Sequence, residues 1–414
     1  MIQTLLLLGA TGDLARRYVL PALGALYAAG RLPHDFRVVG AARGDLNEDG
    51  VRRLAGGVLP AGMLTYRPVD LADPSSLAGA VGGIREPIAA YLALPPGVFA
   101  TTIESLGALD LAPGSRIVLE KPFGDDFQSA RALNGLLARS GLDGYRVDHV
   151  LGLGTVQSLV EMRRNIPVVE RFWNGETVDQ VEILWEETLA LEGRAGYFDC
   201  AGALKDVLQN HMLQLLALVG MELPADTNEL HERKLDVLRA ARVTGTSRRA
   251  RYTAGRLADG REVLDYASEE GVDPSRCTET FAGVALELAT TRWSGTRFVL
   301  RAGKALAAQR KVVLLRIQGG GEFEIGIDGP EDIVLRIAGT AGESLELRAP
   351  ASSDGLPAYA HVLLNVLEGT NELSVGAEEA EQAWCVVAPV LAAWEAGEIP
   401  LQEYAAGSAG LEVS

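Results

Sequence analysis

The chain opens with a short apolar run that ends in a turn rich in small residues. Residues 2–8 read IQTLLLL, and they are followed by Gly9-Ala-Thr-Gly12-Asp-Leu-Ala15. An apolar run of this length is typical of a strand buried on both faces of a parallel sheet. A helix is predicted to follow from about Leu14 to Ala29, so its positive N-terminal end would lie at the turn. Together these features predict the first βα unit of an open α/β sheet.

The same alternation continues through the first third of the chain. Further short strand candidates, separated by helical or turn segments, lie at Phe36–Ala41, Tyr66–Val69, Ile88–Leu94 and Arg116–Leu119. They predict an N-terminal Rossmann-type, doubly wound α/β sheet.

The pattern changes after about Arg146, where longer amphipathic helices replace the short strands. Several β-rich runs follow from Glu279 to Arg348, and they predict a C-terminal α+β domain with a large, mainly antiparallel sheet. We place the two domains at residues 1–146 and 147–414. Two helices and then a loose tail are expected at the C-terminal end, at about Pro357–Glu368, Ala377–Trp394 and Gly407–Ser414.

Composition excludes several classes of partner. The 414 residues carry 38 Lys plus Arg against 55 Asp plus Glu, and the net charge of -17 repels nucleic acid and anionic membranes. Cys200, Cys277 and Cys385 form no CxxC pair and no metal-ligand spacing, so we expect a reduced compartment and no metal site. The run at residues 2–8 is too short for a signal peptide or a membrane span, which predicts a cytoplasmic protein.

The glycine turn suits a dinucleotide, because backbone N–H groups at a helix start can bind a pyrophosphate. By itself the GxxGxxA pattern is weak evidence, since small residues at such a turn often serve only close packing. Arg43 follows the second strand candidate, where enzymes that bind NAD carry an acidic residue. A cation there suits the 2′-phosphate of NADP. A solvated loop charge is the alternative for Arg43.

Further stretches resemble the glucose-6-phosphate dehydrogenase family from one end of the chain to the other. They are Gly12–Leu23, Glu120-Lys-Pro-Phe-Gly124, Arg146-Val-Asp-His-Val-Leu-Gly152, Arg194–His211, Thr278-Glu-Thr-Phe281, Arg292-Trp293, Leu300–Lys304 and the pattern from Trp394 to Gly407. The resemblance implies NAD(P)-dependent oxidation of the C1 hydroxyl of a pyranose to the 1,5-lactone. It also implies a homodimer that forms through the large sheet, with domain 1–146 binding the dinucleotide and domain 147–414 the sugar.

Oxidation at C1 requires a base for the hydroxyl proton, and histidine fits this role best near neutral pH. His211 lies in a helix-like segment, Leu204–Leu218, and the alternative is a core histidine bonded to a carbonyl. Asp206 precedes it by five residues, about 500° of α-helical rotation, so the two are not expected to share a face. The family resemblance supplies Asp148 as the residue that stabilises the imidazolium.

The resemblance also assigns the other contacts. Lys121 matches the lysine beside the sugar and the nicotinamide, and the bond before Pro122 matches a cis peptide bond. Substrate-binding positions match His149, Glu187, Asp206 and Lys304, although Glu187 and Asp206 could instead be caps or ion-pair partners. The predicted cofactor contacts are Gly9, Thr11, Gly12, Asp13, Leu14, Arg43, Pro95 and Lys121, with NADP as the expected cofactor and NAD as an alternative.

Four positions depart from the family pattern that holds the sugar phosphate. A tyrosine and a lysine after Asp148-His149 are replaced by Val150 and Leu153, and two further lysines are replaced by Tyr18 and Gln309. Because a phosphate dianion needs donors and cations, the sequence favours a non-phosphorylated or modified hexose as the substrate.

Three alternatives stay open. Other cations could hold the phosphate of glucose 6-phosphate, and the candidates are Arg16, Arg17, Arg163 and Arg164. The chain could be a catalytically silent assembly or allosteric factor, although the site residues would then have little reason to remain together. An oxidoreductase of the glucose–fructose type would share only the Rossmann half and Glu120-Lys-Pro122.

Overall fold

The computed structural model describes residues 1–71, 73–193, 195–328, 332–338, 343–350 and 354–413. It forms two compact units: unit 1 comprises Met1–Leu153 and Ser353–Glu381, and unit 2 comprises Gly154–Ser352 and Gln382–Ser414. The division at 146/147 stays a prediction, and the compact units do not follow it residue for residue. Arg194, the first residue of one family-like stretch, lies outside the described residues.

Unit 1 contains a six-stranded sheet in which every strand pair is parallel. The strands are β1 (Thr4–Leu8), β2 (Arg37–Ala42), β3 (Leu64–Pro68), β4 (Ile88–Leu92), β5 (Arg116–Glu120) and β6 (Asp143–Val147). Their order is β3-β2-β1-β4-β5-β6, which is the order of a dinucleotide-binding Rossmann sheet. The predicted N-terminal fold is confirmed, although β6 was not predicted.

Twelve α-helices surround the sheets in the part of the chain that the structure describes. They are α1 (Leu20–Ala28), α2 (Glu48–Ala55), α3 (Pro74–Val81), α4 (Phe99–Gly107), α5 (Phe127–Ser140), α6 (Gly154–Asn165), α7 (Pro167–Phe172), α8 (Ala195–Ala203), α9 (Leu213–Gly220), α10 (Leu230–Ala240), α11 (Ala358–Glu368) and α12 (Ala377–Glu395). Two π-helical segments, Ala15–Val19 and Leu204–Met212, lead directly into α1 and α9. None of the helices described is both long enough and apolar enough to cross a bilayer.

The core of unit 1 explains why α11, near the C-terminal end of the chain, packs on the sheet formed by the N-terminal residues. Every residue of β1 is buried, as the apolar run predicts for a strand covered on both faces. On α11, Ala360, Leu363 and Leu367 are buried in the same cluster as Leu5 and Leu23. The apolar face of α11 therefore covers part of the sheet formed by the first 150 residues, and this places Tyr359 in unit 1.

Unit 2 contains a nine-stranded, mainly antiparallel sheet, as predicted. In chain order its strands are β7 (Val178–Glu186), β8 (Ala241–Thr253), β11 (Phe281–Leu288), β12 (Arg297–Gly303), β13 (Arg310–Ile317), β14 (Gly321–Gly326), β15 (Asp332–Ala338), β16 (Ser344–Pro350) and β17 (Gln402–Ala405), while β9 (Gly255–Arg256) and β10 (Glu262–Val263) form a separate hairpin. β7 lies at the centre, between β13 and a parallel partner, β12. The last four residues of β7, which end at Glu186, are all buried.

The C-terminal tail is ordered by contacts with unit 2, so the expectation of a loose tail is wrong for residues 407–413. The N–H group of Gly407 donates to the carbonyl of Ala305 at 2.7 Å, and the Arg297 guanidinium donates to the carbonyl of Val413 at 3.1 Å. These partners are distant in sequence, which is why local composition did not indicate them. Ser414 lies outside the described residues.

Candidate active site

A cleft of about 570 Å³ opens in unit 1 at the carboxyl ends of β1, β2 and β4, where ligands bind in open α/β sheets. Its lining is mostly apolar or small, and the residues are Leu8, Gly9, Thr11, Gly12, Ala41, Ala42, Arg43, Val69, Asp70, Leu71, Ala93, Leu94, Pro95 and Val98. Five of the predicted cofactor residues, Gly9, Thr11, Gly12, Arg43 and Pro95, therefore line one cleft.

The glycine turn lines this cleft, and one of its N–H groups is already bonded within the turn. Gly9 has φ +80°, and a Cβ atom there would lie 2.1 Å from the carbonyl oxygen of Ala93, so only glycine permits this approach of β1 to β4. The N–H of Gly12 bonds to the Gly9 carbonyl at 2.9 Å. The N–H of Arg16 is the first to reach back along the helix, to the Gly12 carbonyl at 3.1 Å, so the preceding N–H groups, among them those of Asp13 and Leu14, have no helical carbonyl. These residues fit a pyrophosphate through their backbone, since Leu14 packs on the core and the Asp13 carboxylate pairs with Arg17 at 3.3 Å.

Arg43 is exposed at the rim of the cleft, directly after β2. The Tyr66 hydroxyl lies 3.0 Å from the carbonyl of Ala42 and 2.8 Å from that of Gly44, so it holds the backbone on both sides of Arg43. Asp70 lines the same cleft, and sequence reasoning did not identify it. The guanidinium is thus carried on a supported loop and is free to meet an anion from solvent.

The carboxyl end of β5 carries Glu120 and Lys121, followed by a cis peptide bond before Pro122, as the family resemblance implies. Glu120 is buried and accepts a hydrogen bond from the Tyr91 hydroxyl. Burial raises the pKa of Glu120 to about 7, and the neighbouring Asp148 adds to this rise while Tyr91 and Lys121 oppose it. Lys121 is therefore accompanied by a carboxyl group that changes charge near neutral pH.

Asp148 and His149 follow β6 in unit 1. Asp148 is buried, and its Oδ1 atom accepts from the N–H of Val150 at 3.1 Å, which starts a 3-10 turn over His149–Gly152. The His149 ring stacks on Tyr359, with 5.6 Å between centroids, and Tyr359 stacks in turn on Tyr18 at 5.2 Å. Tyr18 stands where the family pattern has a lysine, and it is the half-exposed end of this stack of three rings.

Unit 2 contains a second group of predicted residues around Glu187, just beyond β7. The Lys304 ammonium lies 2.6 Å from the Glu187 carboxylate, and the Lys311 ammonium lies 3.7 Å from it. Burial alone would raise the pKa of Glu187, but the two lysines overcome this effect and lower it, while Asp206 acts in the opposite direction. Glu187 is therefore an ionised acceptor, and a carboxylate of this kind forms strong hydrogen bonds with hydroxyl donors. Lys311 was missed by sequence reasoning, because only the pairing of β13 with β7 brings it opposite Trp185.

His211 is 3% exposed and stacks on Trp185, with 5.3 Å between ring centroids and 26° between planes. It lies in the π-helical segment Leu204–Met212, whose hydrogen bonds run from residue i to i+5. Asp206 and His211 are five residues apart, so they follow one another on the same face of this segment. The prediction that they do not share a face was wrong, because it assumed α-helical geometry. Short π-helical stretches frequently occur at functional sites.

Two family models match this chain over both of its parts. The model of the NAD binding domain of glucose-6-phosphate dehydrogenase matches residues 6–60 and 64–158, and the model of the C-terminal domain matches residues 160–349 and 340–414. The chain belongs to the glucose-6-phosphate dehydrogenase family. The predicted family and the nicotinamide dinucleotide as its cofactor are confirmed, and the chain is an NAD(P)-dependent oxidoreductase of this family.

Relatives in the glucose-6-phosphate dehydrogenase family match nearly the whole chain. The glucose-6-phosphate 1-dehydrogenase of Zymomonas mobilis is 32% identical over 99% of this chain and 96% of its own length. That of Gluconobacter oxydans is 33% identical over 98% of this chain and 93% of its own length. A solved glucose-6-phosphate dehydrogenase in complex with its substrate glucose 6-phosphate superposes with a TM-score of 0.87 at 28% identity, covering 99% of this chain and 95% of that one.

The positions that depart from the family pattern differ in their surroundings. Val150 is completely buried, so it belongs to the packed interior and offers no surface to a ligand. Tyr18 and Gln309 are exposed, and Leu153 is half-buried. Burial therefore argues against a direct contact between Val150 and the sugar.

Arg163, one of the four cations proposed to hold a phosphate, is committed to the interior of unit 2. Its guanidinium donates to the carbonyls of Leu218 and Met221 at 3.0 and 2.8 Å, and it pairs with Glu170 at 2.9 Å. The side chain is completely buried, so releasing it would leave these carbonyls without their donor. Arg16, Arg17 and Arg164 are exposed and stay candidates.

Proposed function

We propose that this chain catalyses NADP-dependent oxidation of the C1 hydroxyl of a glucose-type pyranose to the 1,5-lactone. The observation that carries the proposal is that the buried His211 stacks on Trp185, two residues before the half-buried Glu187 that pairs with Lys304, in a member of this family. In this assignment unit 1 holds the cofactor, and unit 2 recognises the sugar hydroxyls. A silent assembly factor would have no need for an ionised, lysine-paired carboxylate and a buried histidine in the same unit.

The chemistry assigned to each side chain follows from its environment. When bound, the nicotinamide accepts the hydride that leaves C1. His211 takes the proton of the C1 hydroxyl, and its contact with the Trp185 face is compatible with the positive charge that the ring gains. Glu187 and Asp206 accept hydrogen bonds from sugar hydroxyls, since a polyol offers donors in place of water.

The names of the relatives favour glucose 6-phosphate as the substrate. These relatives are matched over more than nine-tenths of their length, and burial of Val150 removes one of the four differences that argued against a phosphate. A second candidate, a non-phosphorylated or modified hexose, is favoured by the neutral side chains of Tyr18, Leu153 and Gln309 at positions where the family pattern has lysines. The homodimer and the cytoplasmic location stay predictions.

One assay tests the proposal and separates the two candidate substrates. NADPH and NADH formation would be measured with glucose 6-phosphate, glucose and amino sugars at several salt concentrations. Preference for glucose 6-phosphate, with a Michaelis constant that rises with salt, would support a phosphate held by cations. Preference for glucose would support the second candidate. Absence of turnover with every hexose and both cofactors would overturn the proposed function.

Replacement of Arg43 by alanine is expected to weaken NADP binding by about 1 to 3 kcal/mol and to change NAD binding little, because charged hydrogen bonds to a phosphate have this strength. The measurement is fluorescence titration with NADPH and NADH. Arg31→Ala is the matched control, since Arg31 is also exposed in unit 1 and does not line the cleft. Equal losses for both cofactors would rule out the contact with the 2′-phosphate.

Replacement of Asp148 by asparagine is expected to lower kcat strongly while the protein stays folded. The asparagine oxygen can still accept from the Val150 N–H that starts the 3-10 turn, but it cannot stabilise an imidazolium as a carboxylate does. Turnover and thermal unfolding would be measured together. Unchanged kcat in a folded variant would remove Asp148 from the proton-transfer step.

A further inference from the structure

The segment Thr278–Thr280 contacts α8, the π-helical segment that carries Asp206, and the backbone of Lys304. The Thr278 hydroxyl donates to the carbonyl of Asp199 on α8 at 2.7 Å. The carbonyl of Thr280 accepts from the N–H of Lys304 at 2.9 Å. Between them, Glu279 turns towards the start of the π-helical segment Leu204–Met212. This short segment therefore links the backbone of Lys304 to the helix that carries His211.

Glu279 caps that segment through both its backbone and its side chain. Its carbonyl accepts from the N–H of Ala203 at 3.1 Å, and its Oε1 atom accepts from the N–H of Leu204 at 2.9 Å. Because the first N–H groups of a helix lack helical partners, these two contacts satisfy donors that the fold would otherwise bury unpaired.

The neighbouring backbone is shaped around the Glu279 carboxylate. Gly202, near the end of α8, has φ +69° and interrupts the helical conformation just before the π-helical segment. A Cβ atom at Gly202 would lie 2.4 and 2.6 Å from the two carboxylate oxygens. Any other residue at 202 would therefore displace the carboxylate, and the glycine and the glutamate form one arrangement.

We propose that Glu279 is a positioning residue that fixes the π-helical segment and thereby the placement of Asp206 and His211; the catalytic consequence rests on the proposed function. The reach of the side chain is what matters, because the contact is one hydrogen bond to a backbone N–H. Burial raises the pKa of Glu279 to about 7, so its neutral form is well populated in neutral buffer, and glutamine is a close mimic of that form.

Two substitutions distinguish the effect of the length of the Glu279 side chain from the effect of its charge. Glu279→Gln keeps the length of the side chain and an acceptor oxygen, whereas Glu279→Asp keeps the carboxylate but withdraws it by one methylene. We expect Glu279→Asp to lower kcat by about tenfold or more with little change in the Michaelis constant for the cofactor, and Glu279→Gln to stay within about threefold of wild type. Glu287, exposed on the adjoining strand β11, supplies the matched Asp and Gln controls, and both should be active.

Hydrogen exchange of residues 204–212, followed by mass spectrometry of the full chain, gives a readout that does not depend on turnover. Faster exchange there in Glu279→Asp than in Glu279→Gln would support the cap even if no hexose were oxidised, so failure of the proposed function is distinguishable. Equal exchange in both variants would overturn the proposal. An active Glu279→Asp with an inactive Glu279→Gln would overturn it too, since charge would then matter and reach would not.

Discussion

The His211→Asn variant is expected to lose about 10²- to 10⁴-fold in kcat, the range over which a positioned general base contributes. The asparagine amide cannot take a proton near neutral pH, while its smaller side chain leaves the neighbouring Trp185 in place. Cofactor binding should be unchanged, because the residues that line the dinucleotide cleft belong to unit 1 and His211 belongs to unit 2. Stopped-flow turnover and NADPH titration would measure the two properties separately.

A matched substitution distinguishes loss of the base from general damage. His231 lies on α10 in unit 2 and is partly exposed, so His231→Asn makes the same chemical change outside the group around Glu187. We expect its kcat to stay at the wild-type value. A loss below tenfold in His211→Asn, or an equal loss in both variants, would show that His211 is not the base and that its buried position serves packing alone.

The features of unit 1 that depend only on residues adjacent in the sequence could be predicted from it. The apolar run before Gly9 and the small residues after it predict a buried strand and a tight turn by local chemistry, and the structure has both. The stack formed by Tyr18, Tyr359 and His149 could not be predicted in this way. It requires α11 to pack on a sheet whose first strand is more than 300 residues away in the chain.

In unit 2 the limits of sequence reasoning have a geometric cause. Spacing arguments assume 3.6 residues per turn, but the segment that carries Asp206 and His211 is π-helical. Nothing in the local sequence clearly indicates hydrogen bonds from residue i to i+5. Lys311 joins Glu187 only through the register of β13 on β7, which follows from pairing across the sheet. Family resemblance identified Glu187, His211 and Lys304, whereas their electrostatic partner Lys311 required coordinates.

Restoring lysine at two positions is expected to shift sugar preference towards the phosphorylated substrate. Tyr18 is half-exposed at the end of the ring stack, and Leu153 closes the 3-10 turn that begins with His149. If glucose 6-phosphate binds as the family pattern implies, Tyr18→Lys with Leu153→Lys places two ammonium groups where that pattern has them. Charged hydrogen bonds contribute about 1.5 to 3 kcal/mol each, so the ratio of kcat/KM for glucose 6-phosphate over glucose should rise by about tenfold or more. Val150 is left unchanged, because a tyrosine would overpack a completely buried site.

Neutral substitutions at the same two positions serve as controls. Tyr18→Phe keeps the stack on Tyr359, and Leu153→Met keeps an apolar side chain of similar volume, so neither should alter the ratio for the two sugars. A lysine effect that disappears at high salt would identify the gain as electrostatic, because added ions screen exposed charges. If the lysine pair leaves the ratio unchanged, the phosphate end of the sugar does not reach these side chains. Single replacements of Arg16, Arg17 and Arg164 would then find the cation that holds it, since Arg163 is already bound to Glu170 and to backbone carbonyls.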